Sequence, residues 1–433
     1  MRNMTLFFIG KLISVLGSSM FTFVAGLTIL KVTGSGSNFA ITLVCGTLPR
    51  VLLAPFAGII ADRMNRRTLM IASDVAGVAV MLLTFVSLIF APDSLMPIYV
   101  SLALLSVCST FYSVAVSSSL LLLVDKDQIQ RAGSLNQMAS SAGNILAPIL
   151  GGVLYAYLPL SIFTLLNGAA YLVSTIVTVL LIFKPRVVEA AGGTAESAEA
   201  KSGSVRQTIA AMKADLAAGL SYVRSKPAIS TLLQLIFWIN FFTASLSVLL
   251  PYVLVETLKL PSEQFGTIEA MEAVGVLLMS LIMSIRKQSK DHVRPLTIGL
   301  LIMSVLLATI ALPLFFNFSQ GLVFVYYMAE MLAIGLSIIY VNIPLSVFMQ
   351  TTVDEQYRGR VFGLVDTIAS AIVPLGMLIV GYLVDVVPVW ILPIISGVAV
   401  AGITLFGHRR LRGTSQQEQA GAKTTGAAGI VQN

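Results

Sequence analysis

The sequence predicts an all-α integral membrane protein with twelve spans. Charged residues make up 11% of its 433 positions against 57% hydrophobic types. Mean hydropathy is +0.91. Apolar stretches long enough to cross a bilayer recur from end to end, with Lys and Arg collected in alternate gaps. A soluble domain carries roughly 25% charged residues, because its surface must meet water. A chain this poor in charge cannot cover a water-facing surface, so lipid must cover most of it.

A bilayer core needs about 20 apolar residues per helix. On that rule the spans are 5–32, 39–61, 68–91, 96–123, 134–157, 161–183, 228–255, 264–285, 296–317, 320–350, 361–387 and 389–407. Barrel strands would instead alternate in hydrophobicity over about ten residues. The first stretch is too long for a cleaved signal segment and reads as a retained span.

Lys and Arg orient the spans. Arg2, Lys11, Arg63, Arg66, Arg67, Lys126, Arg131, Arg286, Lys287, Arg358, Arg360, Arg409 and Arg410 fall on one side of a twelve-span arrangement, as do the cations between spans six and seven. The other side holds Lys31 and Lys259. A missed span would scatter this pattern. It predicts an inner (plasma) membrane protein with both termini cytoplasmic.

The formal net charge of +7 lies in these short loops, not on a basic domain or an aromatic-basic face, which excludes nucleic acid as a partner. Cys45 and Cys108 fall inside apolar stretches and read as buried free thiols. His292 and His408 offer no zinc constellation, and no metal or cofactor is expected.

Four regions follow: a six-helix bundle at 1–184, a cytoplasmic linker at 185–227, a second six-helix bundle at 228–408 and a tail at 409–433. The linker is rich in Ala, Gly, Ser and Glu to about Ser204. Val205, Ile209, Met212, Leu216 and Val223 then recur at helical spacing, as in an amphipathic surface helix. The polar, Gly/Ala-rich tail is expected to be disordered.

The two bundles align without a gap at an offset of 229 residues. Gly46 pairs with Gly275, Asp62 with Asp291, Arg131 with Arg360, Gly152 with Gly381, Pro159 with Pro388 and Gly168 with Gly397. Coincident Gly, Pro, Asp and Arg at one offset are harder to dismiss than matched Leu or Val. The offset holds six spans, so the halves share one orientation. Such parallel repeats are related by an axis along the membrane normal, with a site between them near the midplane.

After span two come Gly58, Asp62, Arg63, Asn65, Arg66 and Arg67. Glycine would let the span pack closely. The very short turn calls for a residue tolerant of positive φ, which Asn65 can supply. Asp62 can cap a helix or pair with arginine. This loop resembles the signature of the major facilitator superfamily, roughly G-x-x-x-D-R-x-G-R-R, with Asn65 where glycine is usual. The resemblance implies the major facilitator fold. It also implies that Asp62 helps lock the two halves on the cytoplasmic side, against the region Arg360–Gly363.

Leu48 through Gly58 with Ser73 and Asp74, and Gln350 through Phe362, are similar to the macrolide-efflux-type branch of bacterial permeases. That likeness implies export of drugs, siderophores or other metabolites driven by protons. In span five, Gly143, Pro148, Gly151 and Gly152 are similar to the antiporter motif G-x-x-x-G-P-x-x-G-G, with Ala147 in place of one glycine. Small residues and a proline make a close-packed, kinked helix that can rock against its neighbour, or serve ordinary helix packing.

A charge near the bilayer centre costs at least about 2.5 kcal/mol on insertion scales, so each needs compensation or a use. Glu269 and Glu272 in span eight share a face at i, i+3. Arg50 sits near the middle of span two and Glu330 about ten residues into span ten. These are the candidates for proton coupling or substrate contact. Their structural alternative is a buried ion pair or a hydrated position near a helix end. Asp74 and Asp366 are shallower and are assigned to helix-end or loop salt bridges. Trp238, Asn240, Tyr340 and Asn342 are candidates to line a cavity.

The function expected is secondary active export of a small amphipathic drug or metabolite, as proton antiport by a monomer in lipid. A lipid or lysolipid flippase and a metabolite importer are the alternatives within transport. A non-transporting sensor or scaffold is the alternative outside it. The chain has no phosphate loop for ATP-driven transport and no clustered nucleophile or metal site for an enzyme.

Overall fold

The computed structural model describes residues 2–123, 128–181, 217–286, 291, 293–316 and 318–429. Among these there is no strand. Among the described residues, twelve helices are long and apolar enough to cross a membrane, as the sequence predicts. In chain order they are α1 Arg2–Thr33, α2 Gly36–Arg63, α3 Arg66–Phe90, α4 Met96–Leu123, α5 Ile129–Tyr155 and α6 Leu160–Leu180. The second six are α7 Pro227–Pro251, α8 Ser262–Ile285, α9 Val293–Thr309, α10 Gln320–Thr352, α11 Arg358–Val386 and α12 Ile391–Gly429. The expected amphipathic linker helix lies largely outside the described residues. Its last part, 217–225, is helical and buries Tyr222 and Val223. α12 continues to Gly429, well past Arg412, where composition predicts disorder.

The helices are built for lipid. On α3 the residues most open to the surroundings are apolar: Leu83 and Phe90 are 68% and 84% exposed. Its buried face carries Ser73, Asp74, Gly77 and Thr84. These polar groups face protein beside Leu69, Met70 and Met81, while the exposed face is largely apolar, the reverse of a water-soluble helix. Such helices associate through close packing and interhelical hydrogen bonds, because lipid offers no hydrophobic drive between them.

The chain divides into two compact units. Unit 1 comprises Met1–Val205, Ser247–Ala273 and Met377–Val386; unit 2 comprises Arg206–Leu246, Val274–Gly376 and Val387–Asn433. Within unit 1, α1 packs against α5 and α6, α2 against α4, and α3 against α4 and α6. The core there includes Phe21, Val24, Met81 and Phe163, all fully buried. Within unit 2, α9 packs against α10 and α12, and the core includes Ile229, Leu232, Leu300 and Val361.

Local chemistry sets the breaks. Gly34 takes φ +61 between α1 and α2, a left-handed conformation that favours glycine, and its N–H closes α1 on Leu30 O at 2.8 Å. Ser35 then caps α2 by accepting from the Asn38 N–H. After Pro251, α7 widens over Tyr252–Thr257 into i→i+5 bonding, with Leu258 N–H on Val253 O at 2.8 Å.

Two expectations for the loop after α2 need correction. Asn65 has φ −65, not a positive value: it is the N-cap of α3, and its side chain accepts from the Arg67 N–H. The turn is made by extended backbone at Met64 and Asn65, so no left-handed residue is needed. Gly58 does not serve close packing, since a Cβ there would meet nothing within 4 Å.

Candidate functional site

A cavity in unit 1 lies among its first six helices and has a volume of ≈ 310 Å³. α1 supplies Lys11, Ser14, Val15, Ser18 and Ser19, a polar stripe at helical spacing. α2 adds Arg50, α3 Ser73 and Asp74, α4 Tyr112 and its neighbours, α5 Ser140 and Asn144, and α6 Tyr171. Val15 is the only aliphatic residue in that lining.

At its heart is Asp74. Its residue is 1% exposed, and its Oδ2 accepts a hydrogen bond from Ser174 at 2.7 Å. Ser174 has one hydroxyl proton and gives it to the carboxylate. The 3.3 Å contact between Tyr112 and Ser174 is therefore donated by the tyrosine. Lys11 lies with its ammonium 5.3 Å from the centre of the Tyr112 ring. Tyr171 meets the Ser18 hydroxyl at 2.9 Å, and its ring lies against Gly77, where a Cβ would stand 3.1 Å from it. The assignment of Asp74 to a helix-end salt bridge is thus replaced by a buried, hydroxyl-bonded carboxylate. The signal was present in the sequence: Lys11, Ser14 and Ser18 stand at helical spacing in the first half of a mostly apolar span.

Arg50 lines this cavity, and its residue is exposed. Glu269 and Glu272 lie on α8 within unit 1 and are half-buried. Neither carboxylate has a hydrogen bond or ion pair with a described residue. They do not belong to the lining of the first cavity. One turn before Glu269, α8 meets α5: a Cβ on Gly152 would stand 2.5 Å from Ser262 O and 3.3 Å from Gly266 Cα. Pro148 O faces Gly266 in the same contact. Gly143 and Gly151 face α1, against Val15 and Phe23. The span-five residues therefore bring α5 backbone-close to two neighbours.

The remaining candidates lie in unit 2. Glu330 is 6% exposed and accepts from Thr309 Oγ1 at 2.9 Å. Trp238 packs among Phe237, Phe241 and Phe242 and lines a groove of ≈ 220 Å³ with Phe406 and Gly407. Asn240 bonds back to Ile236 O of its own helix at 2.8 Å. The Tyr340 ring lies beside Gly299 and 5.7 Å from the Arg286 guanidinium, and Asn342 is exposed. In the loop motif, Arg66 donates to Ser118 O and Arg67 to Val179 O, each at 2.5 Å. These bonds tie the start of α3 to the ends of α4 and α6. The side chains of Asp62 and Arg63 lie outside the described residues.

A polar cavity within a bundle of membrane-spanning helices suits a transporter, and the sequence places it in a family. The profile of the Major Facilitator Superfamily matches residues 7–377. The chain belongs to the Major Facilitator Superfamily. It is 25% identical over 387 residues to the uncharacterized MFS-type transporter YfiS of Bacillus subtilis (strain 168), covering 88% of this chain and 87% of that one. It is 21% identical over 402 residues to macrolide efflux protein A of Streptococcus pyogenes, covering 92% and 93%. Its fold is similar to that of a bacterial homologue of the iron transporter ferroportin in an inward-facing state. There the TM-score is 0.66 at 16% identity, over 94% of this chain and 98% of the other. This superfamily member is a multi-pass membrane transporter and not an enzyme.

Proposed function

We propose that the chain is a secondary active exporter that moves a small solute by alternating access, coupled to protons through Glu269 and Glu272. One observation carries the coupling. The two carboxylates stand three residues apart on a membrane-spanning helix, and neither has a partner among the described residues. Glu272 is the eleventh residue of a 24-residue helix, about 15 Å from its start. At that depth a bare carboxylate is expensive, and a proton is the counter-charge able to reach it and leave again. The pair sits within two turns of the close α5–α8 contact at Gly152 and Gly266, so movement at that contact would change access to it.

Similarity to macrolide efflux protein A supports export over import. The alternation of cationic loops supports both termini in the cytoplasm of a plasma-membrane protein. Function as a monomer in lipid is part of the same reading.

Everted membrane vesicles test it. Acidification of the lumen should drive uptake of an amphipathic dye such as rhodamine 6G or carboxyfluorescein, and collapse of the gradient should stop it. Glu269→Gln with Glu272→Gln should abolish gradient-driven uptake and leave solute exchange without a gradient intact. Full gradient-driven uptake by the double variant removes the pair from the coupling role. Movement of labelled lipid head groups in place of any soluble solute would favour the flippase.

A further inference from the structure

We propose that the unit 1 cavity is a binding site for a small polar organic anion, whose carboxylate, phosphate or sulfonate is held between Lys11 and Arg50. This rests on the exporter reading only in taking the occupant to be the solute that is moved.

Charge comes first. The lining holds two cations, Lys11 and Arg50, and one carboxylate, Asp74. Asp74 is 1% exposed and accepts one hydrogen bond, from Ser174, which Tyr112 meets in turn, and the charge of Lys11 acts on it. Neither Lys11 nor Arg50 makes a hydrogen bond or ion pair with a described residue. Lys11 rests over the Tyr112 ring, which places its ammonium without using its donors on an acceptor. Two cations with free donors against one buried carboxylate leave an excess positive charge at the cavity. An arginine that lines a cavity without an acceptor is suited to bidentate recognition of a planar anion.

The walls come second. Seven of the lining residues are serines and two are tyrosines, and Val15 is the sole aliphatic. A site for a bulky apolar cation would be walled by aliphatic and aromatic side chains, with a carboxylate free to meet the charge. Here the walls offer hydroxyls, and the carboxylate is 1% exposed with Ser174 bonded to it. The volume of ≈ 310 Å³ suits a small molecule and not a macrocycle. The occupant that fits is small, hydroxyl- or carbonyl-bearing and anionic.

The test is direct binding by calorimetry to purified protein in phosphatidylcholine nanodiscs at fixed ionic strength, where no anionic lipid competes. The probes are 4-hydroxybenzoate, 4-hydroxybenzenesulfonate and 4-hydroxyphenyl phosphate, with tyramine as the cation of matched size. At least one anion should bind saturably, and tyramine should bind more weakly than it does. Arg50→Gln, at an exposed position with no hydrogen bond or ion pair to lose, should weaken the anion about tenfold, as loss of one charge-assisted contact does. Asp74→Asn should leave anion binding intact or tighten it, whereas a cation site would lose its ligand. Absence of saturable binding by all three anions, tighter binding of tyramine, or an unchanged anion affinity in Arg50→Gln overturns the proposal. No proton gradient enters this assay. Binding without gradient-driven transport would count against the exporter alone, and transport of cationic dyes without anion binding would count against the anion site alone.

Discussion

Gly152 and Gly381, 229 residues apart, each mark the place where one helix backbone touches another. Gly152 of α5 lies against Ser262 and Gly266 of α8; Gly381 of α11 lies against Gly36 and Ala40 of α2. The repeat thus preserves a packing device as well as a residue type. At Gly152, the atoms a Cβ would meet are backbone atoms, which cannot rotate aside. Gly152→Ala should therefore force the helices apart at a cost of about 1–3 kcal/mol. Gly58→Ala, with open space around it, should be neutral. Thermal unfolding of the two variants in one detergent compares them directly. Equal midpoints would mean that the α5–α8 contact yields without strain.

Asp385 offers a second contact for measurement. Near the end of α11, its carboxylate accepts from the Gly36 N–H at 2.7 Å, the Ser37 N–H at 2.9 Å and the Ser35 hydroxyl at 2.9 Å. The first N–H groups of a helix have no partner within it, and a negative charge there is favoured. Asp385→Ala strands these donors and should destabilise α2's first turn by about 1–3 kcal/mol. Amide exchange at Gly36 and Ser37 should quicken while exchange in the middle of α2 stays slow. Unchanged exchange at both amides would show that water replaces the carboxylate at no cost.

The fold was legible because lipid imposes a coarse rule, that spans are long and apolar and that cations gather on one side. The contents of the spans were not. Asp74 reads as shallow by counting residues from the loop, yet α6 brings Ser174 to it from a hundred residues away. Gly58 reads as a packing glycine because packing is what glycines commonly do in membranes, and nothing local reveals that its surroundings are open. At Gly152 the structure shows close backbone packing, which the small residues beside Pro148 and Gly151 suggest, whereas sequence leaves open whether that contact also moves. Periodicity finds which face of a helix is polar; only the partner helix decides what that face meets.

Asn65 caps α3 through its side chain, so a glycine there would lose one hydrogen bond and keep the turn. Glycine is itself an acceptable cap, so Asn65→Gly should cost only a few tenths of a kcal/mol, against about 1 kcal/mol for Asn65→Ala. Chemical denaturation in mixed micelles resolves the order of the three. A glycine variant less stable than the alanine one would contradict the capping role.

Glu330 differs from the α8 carboxylates in having company. Thr309 lies 2.9 Å from it at the end of α9, its one hydroxyl proton divided between Glu330 and the carbonyls of Val305 and Leu306. Tyr326 gives its hydroxyl to Thr309 O at 2.7 Å, and Tyr327 gives its own to Ile310 O at 2.9 Å. Tyr327 is fully buried, whereas Tyr326 is partly open to its surroundings. These three side chains of α10 close the end of α9, which is a structural task. Glu330→Gln retains an oxygen for Thr309 and should leave gradient-driven transport in place. Tyr327→Phe leaves a buried carbonyl without its donor, at about 1–3 kcal/mol, and should lower thermal stability more than Tyr326→Phe, whose carbonyl partner lies nearer solvent or lipid head groups. Loss of gradient-driven transport in Glu330→Gln, with stability unchanged, would instead place a proton-carrying group on α10 and move the coupling away from α8.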